Sequence, residues 1–421
     1  MKSPPSTISS QDLAVTLTPE MVILYESLNA RAEFYEAQSL TSERFWSPRP
    51  LPWRIIEPIV NAIEKVPEVF AITKLHQLSP GSSTGYPIRP SLLASGLVRR
   101  THDLGDGLTA ITELLTLIQT NITKGRLTLV LAGLQVEKSV EIATGIILCP
   151  FKDVRPPPWY KDLEDKSHWP LSQALDPVEP SSALIIKTDF ISTFTSTEHG
   201  PNRYPEENVK NLKNISNCIA IAVGIPIPKL PIWCEDNDPR LPLQSSGIIL
   251  NNWTSPGMAA SCWADVNQIQ TIIADYEHFQ GDRGPLEMSM TRLVSAWEGR
   301  DREARAIDLG IALESMLMFE VDAKKREPST EIRYKLGLRA AWLVGGKLAD
   351  REHAFRLIRK LYDFRSEAAH IGHIRVTSKN WQTVDEKINE GITFTRNIIL
   401  NILSHRKWPN WNLLVLGGEY I

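Results

Sequence analysis

Cysteine is scarce in this chain of 421 residues, which has only four, and no two of them form a CxxC pair. None lies near a histidine at the spacing of a zinc site. Disulfide frameworks are typical of much smaller secreted chains. We therefore expect reduced, mostly buried thiols and no structural zinc.

Long apolar runs are also missing. The longest, at 143–149 and 218–226, are far shorter than the roughly 20 residues that a membrane-spanning helix needs. The first residues, MKSPPSTISSQD, lack the apolar core of a signal peptide. We expect no membrane partner, a cytoplasmic location and a disordered tail over residues 1–18.

A strong charge of one sign is absent from the whole chain, whose net charge is −3, but the charge is unevenly distributed. From residue 286 onward there are 22 Lys and Arg against 18 Asp and Glu, whereas the rest of the chain has 24 against 31. An acidic front and a mildly basic back indicate two functional parts. The basic excess alone is too small to establish nucleic-acid binding.

The hydrophobic pattern changes near residue 125. Before it, helical spacing dominates; after it, Leu127, Leu129 and Leu131 alternate as in a half-buried strand. After Pro285 prolines nearly vanish, and five helices are predicted, at about 286–298, 301–321, 330–344, 350–370 and 380–404. We predict an α+β protein: a mixed α/β N-terminal region at 19–285, with a possible subdivision near 125, followed by an all-α helical bundle at 286–421.

Familiar signatures of metal and cofactor chemistry are lacking. The sequence contains no HExxH, no GxSxG and no dinucleotide fingerprint. The run GLQVEKS at 133–139 lacks the second glycine of a phosphate-binding loop. We predict no metal site and no cofactor.

The predicted fourth bundle helix ends in LYDFRSEAAHIGH, in which four residues separate Arg365 from His370. Gly372 is suited to stop the helix. At roughly 100° per residue, Arg365 falls inside the apolar arc and His370 lies roughly 140° away, on a polar side. Because the two side chains do not share one face of a straight helix, a single active centre is more easily built where two copies meet.

This segment resembles the R-polar-xxx-H signature of the HEPN superfamily, and the whole bundle resembles the Apea-like branch of that superfamily. The runs that support the resemblance are AIDLGIALESML at 306–317, LGLRAAWLVG at 336–345 and LYDFRSEAAH at 361–370. It covers about a third of the chain. The resemblance implies a HEPN-type endoribonuclease that works as a homodimer with paired motifs in one cleft, in bacterial anti-phage defence or as a toxin.

The chemistry of RNA cleavage fits these residue types. A histidine can take the proton of a 2′-OH that attacks the adjacent phosphate, and an arginine can hold the phosphate oxygens as negative charge builds up. We assign His370 as general acid/base and Arg365 as phosphate clamp, with a 2′,3′-cyclic phosphate and a 5′-OH as products. Ser366 is expected to orient either group.

Five further residues complete the predicted site. Glu314 is placed to pair with Arg365, and Tyr362, one turn before Arg365, is favoured as a packing residue that is also able to stack on a base. Arg356, Arg359 and Lys360 are candidates for holding RNA phosphates, although such residues are most often a solvated helix face.

Other interpretations remain open. Arg365 is also consistent with a structural arginine bonded to Glu314, and His370 with a helix C-terminal residue that favours the dipole. The first alternative function is a non-catalytic bundle that dimerises and binds RNA or protein. The second is a ligand sensor whose front region controls a helical scaffold. We expect a phage component or a small molecule to act as trigger at the N-terminal region.

Overall fold

The computed structural model describes residues 18–32, 51–78, 85–120, 122–154, 180–191, 194–195, 206–236, 238, 240–241, 246–249, 261–299, 301–319, 331–375 and 381–418. Over these residues the chain is α+β, as predicted: helices and strands alternate as far as residue 263, and helices alone follow. The predicted tail, apart from Thr18, lies outside the described residues.

The first part is a helical cluster with its own core. Its helices are α1 (Pro19–Ala32), α2 (Trp53–Ile63), the short α3 (Pro67–Phe70), α4 (Pro90–Leu104) and α5 (Gly107–Thr120). Fully buried residues such as Leu28, Ile59, Leu93 and Ile111 join them. This core also includes Leu241, far beyond residue 125, so the subdivision expected there stays a prediction.

The middle part is built on a six-stranded antiparallel sheet in the order β10-β9-β3-β7-β6-β5. Its strands are β3 (Ile122–Ala132), β5 (Val140–Ala143), β6 (Ile146–Pro150), β7 (Pro180–Ile191), β9 (Lys229–Asp236) and β10 (Ser246–Ile249). Shorter strands form a small sheet, β1 (His76–Leu78), β2 (Gly85–Pro87) and β8 (Phe194–Thr195), and a parallel pair, β4 (Leu134–Gln135) and β11 (Cys262–Trp263).

Strand β3 confirms the predicted alternation on one face only. Leu127, Leu129 and Leu131 are buried in the main core, which helix α6 (Glu206–Val223) also lines. On the opposite face Val130 is equally buried, in a small cluster with Trp233. The expectation of a half-buried strand is therefore wrong at this point, because a second apolar cluster covers the other face of the sheet.

The C-terminal part contains five helices at the predicted positions and two that were not predicted, one before residue 286 and one near the C-terminal end. Its helices are α7 (Val266–Glu277), α8 (Gly284–Glu298), α9 (Arg302–Leu317), α10 (Ile332–Val344), α11 (Leu348–Ile371), α12 (Trp381–His405) and α13 (Trp411–Val415). Every predicted helix end lies within four residues of the observed one. Local chemistry explains some of the ends: Pro285 lies in the first turn of α8, and the Asp301 carboxylate accepts the Ala304 N–H at 2.9 Å at the start of α9.

The sheet and the bundle share one continuous apolar cluster. A polar network also joins α6, α7 and α8: the Tyr276 hydroxyl donates to Glu287 at 2.8 Å and accepts from Asn214 at 3.1 Å, and Lys210 pairs with Glu287 at 2.8 Å. The hydrogen bonds and the positive charge of Lys210 hold the pKa of Glu287 below its ordinary value despite burial. The division at residue 285 stays a prediction, because the core runs continuously across it.

Candidate functional site

Helix α11 is the element that carries most of the predicted site. It begins where the Asp350 carboxylate accepts the Lys347 N–H at 3.2 Å, and it ends at Gly372, as predicted. Gly372 has φ +79°, a left-handed conformation that glycine adopts without strain, and its N–H bonds the Ala368 carbonyl at 3.1 Å. Its neighbours α9, α10 and α12 all pack against it.

Arg365 lies where α11 packs closely against Gly310 of α9. A Cβ atom added at Gly310 of α9 would come within 2.7 Å of the Arg365 Cβ and closer still to its Cγ. The methylene groups of Arg365 therefore pack directly on Gly310. A residue with a side chain at position 310 would leave no room for them. This contact explains how the sequence places an arginine in the apolar arc of a helix: the methylene groups pack, and only the guanidinium reaches outward.

The guanidinium of Arg365 forms one weak ion pair. Its Nη2 donates to Glu314 Oε2 at 3.4 Å, with 25 % and 27 % of the two side chains exposed. Its Nε is buried and has no hydrogen-bond partner among the described residues. Burial raises the pKa of the Glu314 carboxyl above its ordinary value, and the Arg365 charge opposes that rise without cancelling it. The pair is thus incompletely closed and retains donors for another anion.

The two neighbours of Arg365 on α11 are half-buried. The Tyr362 ring packs on the main core, and the Arg365 Cζ lies 5.9 Å from its centroid. Ser366 makes no hydrogen bond through its side chain to any residue that the structure describes. Tyr362 therefore packs on the core, and at roughly 100° per residue Ser366 lies closer to the side of His370 than to that of Arg365.

His370 is exposed in the last turn of α11. Helix geometry puts its Cα roughly 9 Å from that of Arg365, and on a different side of the helix. Within the described residues its ring has no hydrogen-bond partner. One copy of the chain thus brings Arg365 and Glu314 together but does not bring His370 to them.

The three predicted phosphate-holding residues fall into different environments. Arg356 is exposed and bonds Glu352 one turn earlier, at 2.5 Å. Lys360 is exposed, with its Nζ 4.8 Å from the Phe364 centroid. Arg359 is half-buried over the Phe355 ring at 5.1 Å, and its Nε is buried without a partner among the described residues.

Sequence reasoning missed a cluster on the side of α11 that faces α10. The Arg351 guanidinium lies 4.6 Å from the Trp342 centroid, and Tyr334 meets Phe355 edge to face with centroids 5.5 Å apart. A signal was present in the spacing of Arg351, Phe355 and Arg359, which are four residues apart and so share one helix face. The two aromatic residues of α10 join them only through tertiary packing.

Among the described residues, no group of three or more His, Cys, Asp or Glu side chains is arranged to hold a metal ion. All four cysteines are free, and three of them are buried, as expected. In the same part of the chain, no helix has the length and the apolar character needed to cross a membrane.

Comparison with known proteins adds no family assignment. No family model matches the chain, and no match was found among curated proteins or solved structures. The interpretation of the site therefore depends on its own geometry.

Proposed function

We propose that this chain is a metal-independent endoribonuclease of the HEPN type, acting in the cytoplasm. Arg365 is the phosphate clamp and His370 the general acid/base. Glu314 and Tyr362 hold the Arg365 side chain from two sides, and Ser366 orients either Arg365 or His370. RNA is the substrate, and the setting we propose is bacterial anti-phage defence or toxin action.

The reaction needs one base, one acid and one cation. His370 takes the proton of the 2′-OH, the O2′–P bond forms, and the P–O5′ bond breaks. The departing 5′ oxygen receives a proton from a second acid, and the products are a 2′,3′-cyclic phosphate and a 5′-OH. Arg365 stabilises the extra negative charge on the phosphate oxygens in the transition state.

The observation that carries this proposal is the open ion pair between Arg365 and Glu314. A buried arginine that only stabilises the fold normally has its donors satisfied, because an unpaired charged group in a partly desolvated site is costly. Here the guanidinium makes one side-chain contact, at 3.4 Å, and a quarter of the side chain is exposed, so its outer nitrogens remain able to bind phosphate oxygens.

A homodimer through the bundle supplies the missing half of the site. Because Arg365 and His370 lie on different sides of α11, a twofold arrangement would let His370 of one copy serve the phosphate held by Arg365 of the other. The same arrangement would provide the second acid. We propose that the N-terminal region responds to a phage component or small molecule that controls this activity.

One observation favours a second candidate function. Catalytic histidines are usually oriented by a hydrogen bond to the second ring nitrogen, and no described residue makes such a bond with His370. A non-catalytic bundle that dimerises and binds RNA would need no such bond. The two candidates differ in whether RNA is cut.

The test compares the full-length protein with Arg365→Ala and His370→Ala on labelled RNA in the presence of a chelator. We expect the rate to fall about 10²–10³-fold for Arg365→Ala and about 10²–10⁴-fold for His370→Ala. Analysis of the ends should show a 2′,3′-cyclic phosphate and a 5′-OH.

Two substitutions on the same bundle provide matched controls. Arg292→Ala removes an arginine that also pairs with a carboxylate of α9, Asp308, at 2.9 Å, and His353→Ala removes an exposed α11 histidine bonded to Glu390. Both should cut RNA as the wild type does. Equal cleavage by all variants would refute the assignment of Arg365 and His370, and binding without cleavage by the wild type would select the second candidate.

A further inference from the structure

Three arginines of α11 share an unusual environment. Arg351, Arg359 and Arg365 each have a buried Nε without a hydrogen-bond partner among the described residues. Each guanidinium lies against an aromatic ring, at 4.6 Å from Trp342, 5.1 Å from Phe355 and 5.9 Å from Tyr362. One other described arginine, Arg292, has such an Nε, but no aromatic ring of the described residues lies against its guanidinium, which pairs with Asp308 at 2.9 Å.

These arginines form a continuous stripe with the aromatic residues between them. We define the α11 stripe as Arg351, Phe355, Arg359, Tyr362 and Arg365. At roughly 100° per residue, the five residues fall within an arc of roughly 120°, and His370 borders that arc. From Arg351 to His370 the stripe runs roughly 28 Å along the helix. All five residues of the stripe are half-buried, so each keeps part of its surface in solvent.

The charge around the stripe is opposite to that of the whole chain. Residues 332–371, which include α10 and α11, contain nine Lys and Arg against four Asp and Glu, whereas the chain as a whole has a net charge of −3. A positive surface of this kind favours a polyanion, and its attraction falls with salt.

The aromatic rings narrow the choice of polyanion. Tyr334 of α10 is 48 % exposed and meets Phe355 edge to face, and the Arg359 guanidinium covers the Phe355 ring. Bases can stack on an exposed tyrosine or an arginine plane only when they are not already stacked in a duplex. Arginine with interleaved aromatic rings therefore fits a single strand better than a double helix.

We propose that the α11 stripe, together with Tyr334, binds single-stranded RNA and leads it to Arg365 and His370. This inference rests on the proposed function, because the bound strand is the substrate of that site. Arg351 and Arg359 contact phosphates, and Tyr334 stacks on a base. Arg356 and Lys360 lie on the other side of the helix and do not belong to the stripe.

The experiment measures binding of a fluorescent single-stranded RNA 12-mer by anisotropy, with His370→Ala in every protein to prevent cleavage. Adding Arg351→Gln and Arg359→Gln together should weaken binding about tenfold. The slope of log K against log salt concentration should also become less steep, by about 1.4, because two phosphate contacts are lost. Adding Tyr334→Ala should weaken binding about tenfold without changing the salt slope.

A control of equal charge separates a specific stripe from general attraction. Arg292→Gln with Arg406→Gln removes a half-buried and an exposed arginine, which pair with Asp308 and Asp275. This double variant should bind as the His370→Ala parent does. Thermal unfolding of each variant shows whether a loss of binding reflects a loss of folded protein, and Tyr334→Ala tests the stripe independently because its ring is largely outside the core.

The outcomes separate this inference from the proposed function. If the Arg351→Gln and Arg359→Gln double variant and Tyr334→Ala both bind RNA like the control, the proposal that the stripe binds RNA is refuted. This holds even if the wild type cuts RNA. If a duplex RNA of equal length binds as tightly as the single strand, the single-strand preference is refuted. If binding falls as expected but the wild type does not cleave, the stripe stands and the ribonuclease proposal fails. In an active enzyme, the stripe variants should raise KM and leave kcat unchanged.

Discussion

Two of the cross-helix arginine–carboxylate contacts of helix α9 have nearly the same side-chain exposure and very different geometry. In its first turn, Arg302 donates from Nε and Nη2 to the two oxygens of Asp385 at 2.9 and 2.7 Å, with exposures of 26 % and 31 %. In its last turn, Glu314 accepts a single contact from Arg365 at 3.4 Å, with exposures of 27 % and 25 %. The exposed fraction of the side chains therefore does not distinguish the two contacts, although Glu314 lies deeper in the protein than Asp385.

The pKa values of the two carboxyls shift in opposite directions. The hydrogen bond from Arg302 lowers the pKa of Asp385, whereas burial raises the pKa of Glu314 against the weaker influence of Arg365. A carboxylate stabilised by its arginine belongs to a closed, structural pair. Where burial shifts the pKa of the carboxyl more than the nearby arginine does, the ion pair is incomplete. We call such a pair open, because its arginine can bind an additional anion.

The largest expected effect on stability comes from Gly310→Ala, which would displace the Arg365 side chain of the open pair. The added methyl group would overlap the Arg365 stem near its backbone end, where the side chain cannot move away easily. We expect the free energy of unfolding in urea to fall by about 1–3 kcal/mol. RNA cleavage by the remaining folded protein should also fall, because the guanidinium is displaced.

Gly391→Ala is the matched control for this prediction. Its added methyl group would meet the Leu361 Cδ1 at 2.5 Å and the Leu309 Cδ2 at 2.9 Å, and no arginine. We expect a similar loss of stability and unchanged cleavage per folded molecule. Loss of cleavage in both variants, or in neither, would mean that the Gly310 contact has no special relation to activity.

Much of this site could be predicted from local sequence. The bundle helices, the stop at Gly372 and the position of Arg365 in the apolar arc all follow from spacing of apolar residues and from the backbone freedom of glycine. The contact between Arg365 and Glu314 was also expected, and the structure brings the two residues together. What the sequence could not show is that the contact is long and incomplete, because this depends on how closely α9 and α11 approach at Gly310.

The parts that were missed depend on packing between distant segments. Tyr334 and Trp342 lie on α10 and contact residues of the α11 stripe only because α10 packs along α11. Helix α4 was not predicted, and the second buried face of β3 at Val130 contradicted the pattern, because its cover comes from residues such as Trp233, far along the chain. The spacing of apolar residues predicts which face of a helix or strand is buried. It does not show whether distant parts of the chain also cover the opposite face.

The next largest effect on stability is expected for Asp385→Asn, which removes the carboxylate of the closed pair with Arg302. Because the folded-state pKa of Asp385 is lowered, its contribution to stability is present above the unfolded-state pKa and is lost as the pH falls through the folded-state pKa. At pH 7 the variant should be less stable than the wild type by about 1 kcal/mol, and the two should converge in acid. Urea unfolding at pH 7 and pH 3 measures this difference, and equal stability at pH 7 would contradict the closed pair.

The smallest effect, and one of opposite sign, is expected for Glu314→Gln. Because the folded-state pKa of Glu314 is raised, the folded protein binds a proton more tightly than the unfolded chain does, so the wild type gains stability as the pH falls from neutrality through that raised pKa. The neutral amide lacks this titration, and the variant should equal or exceed the stability of the wild type at pH 7, by less than about 1 kcal/mol, because the site is partly solvated. The advantage should disappear in urea unfolding below the raised pKa. A variant that is clearly less stable than the wild type at pH 7 would show that Glu314 closes on Arg365 as Asp385 closes on Arg302, and the argument for a guanidinium left open to phosphate would then be lost.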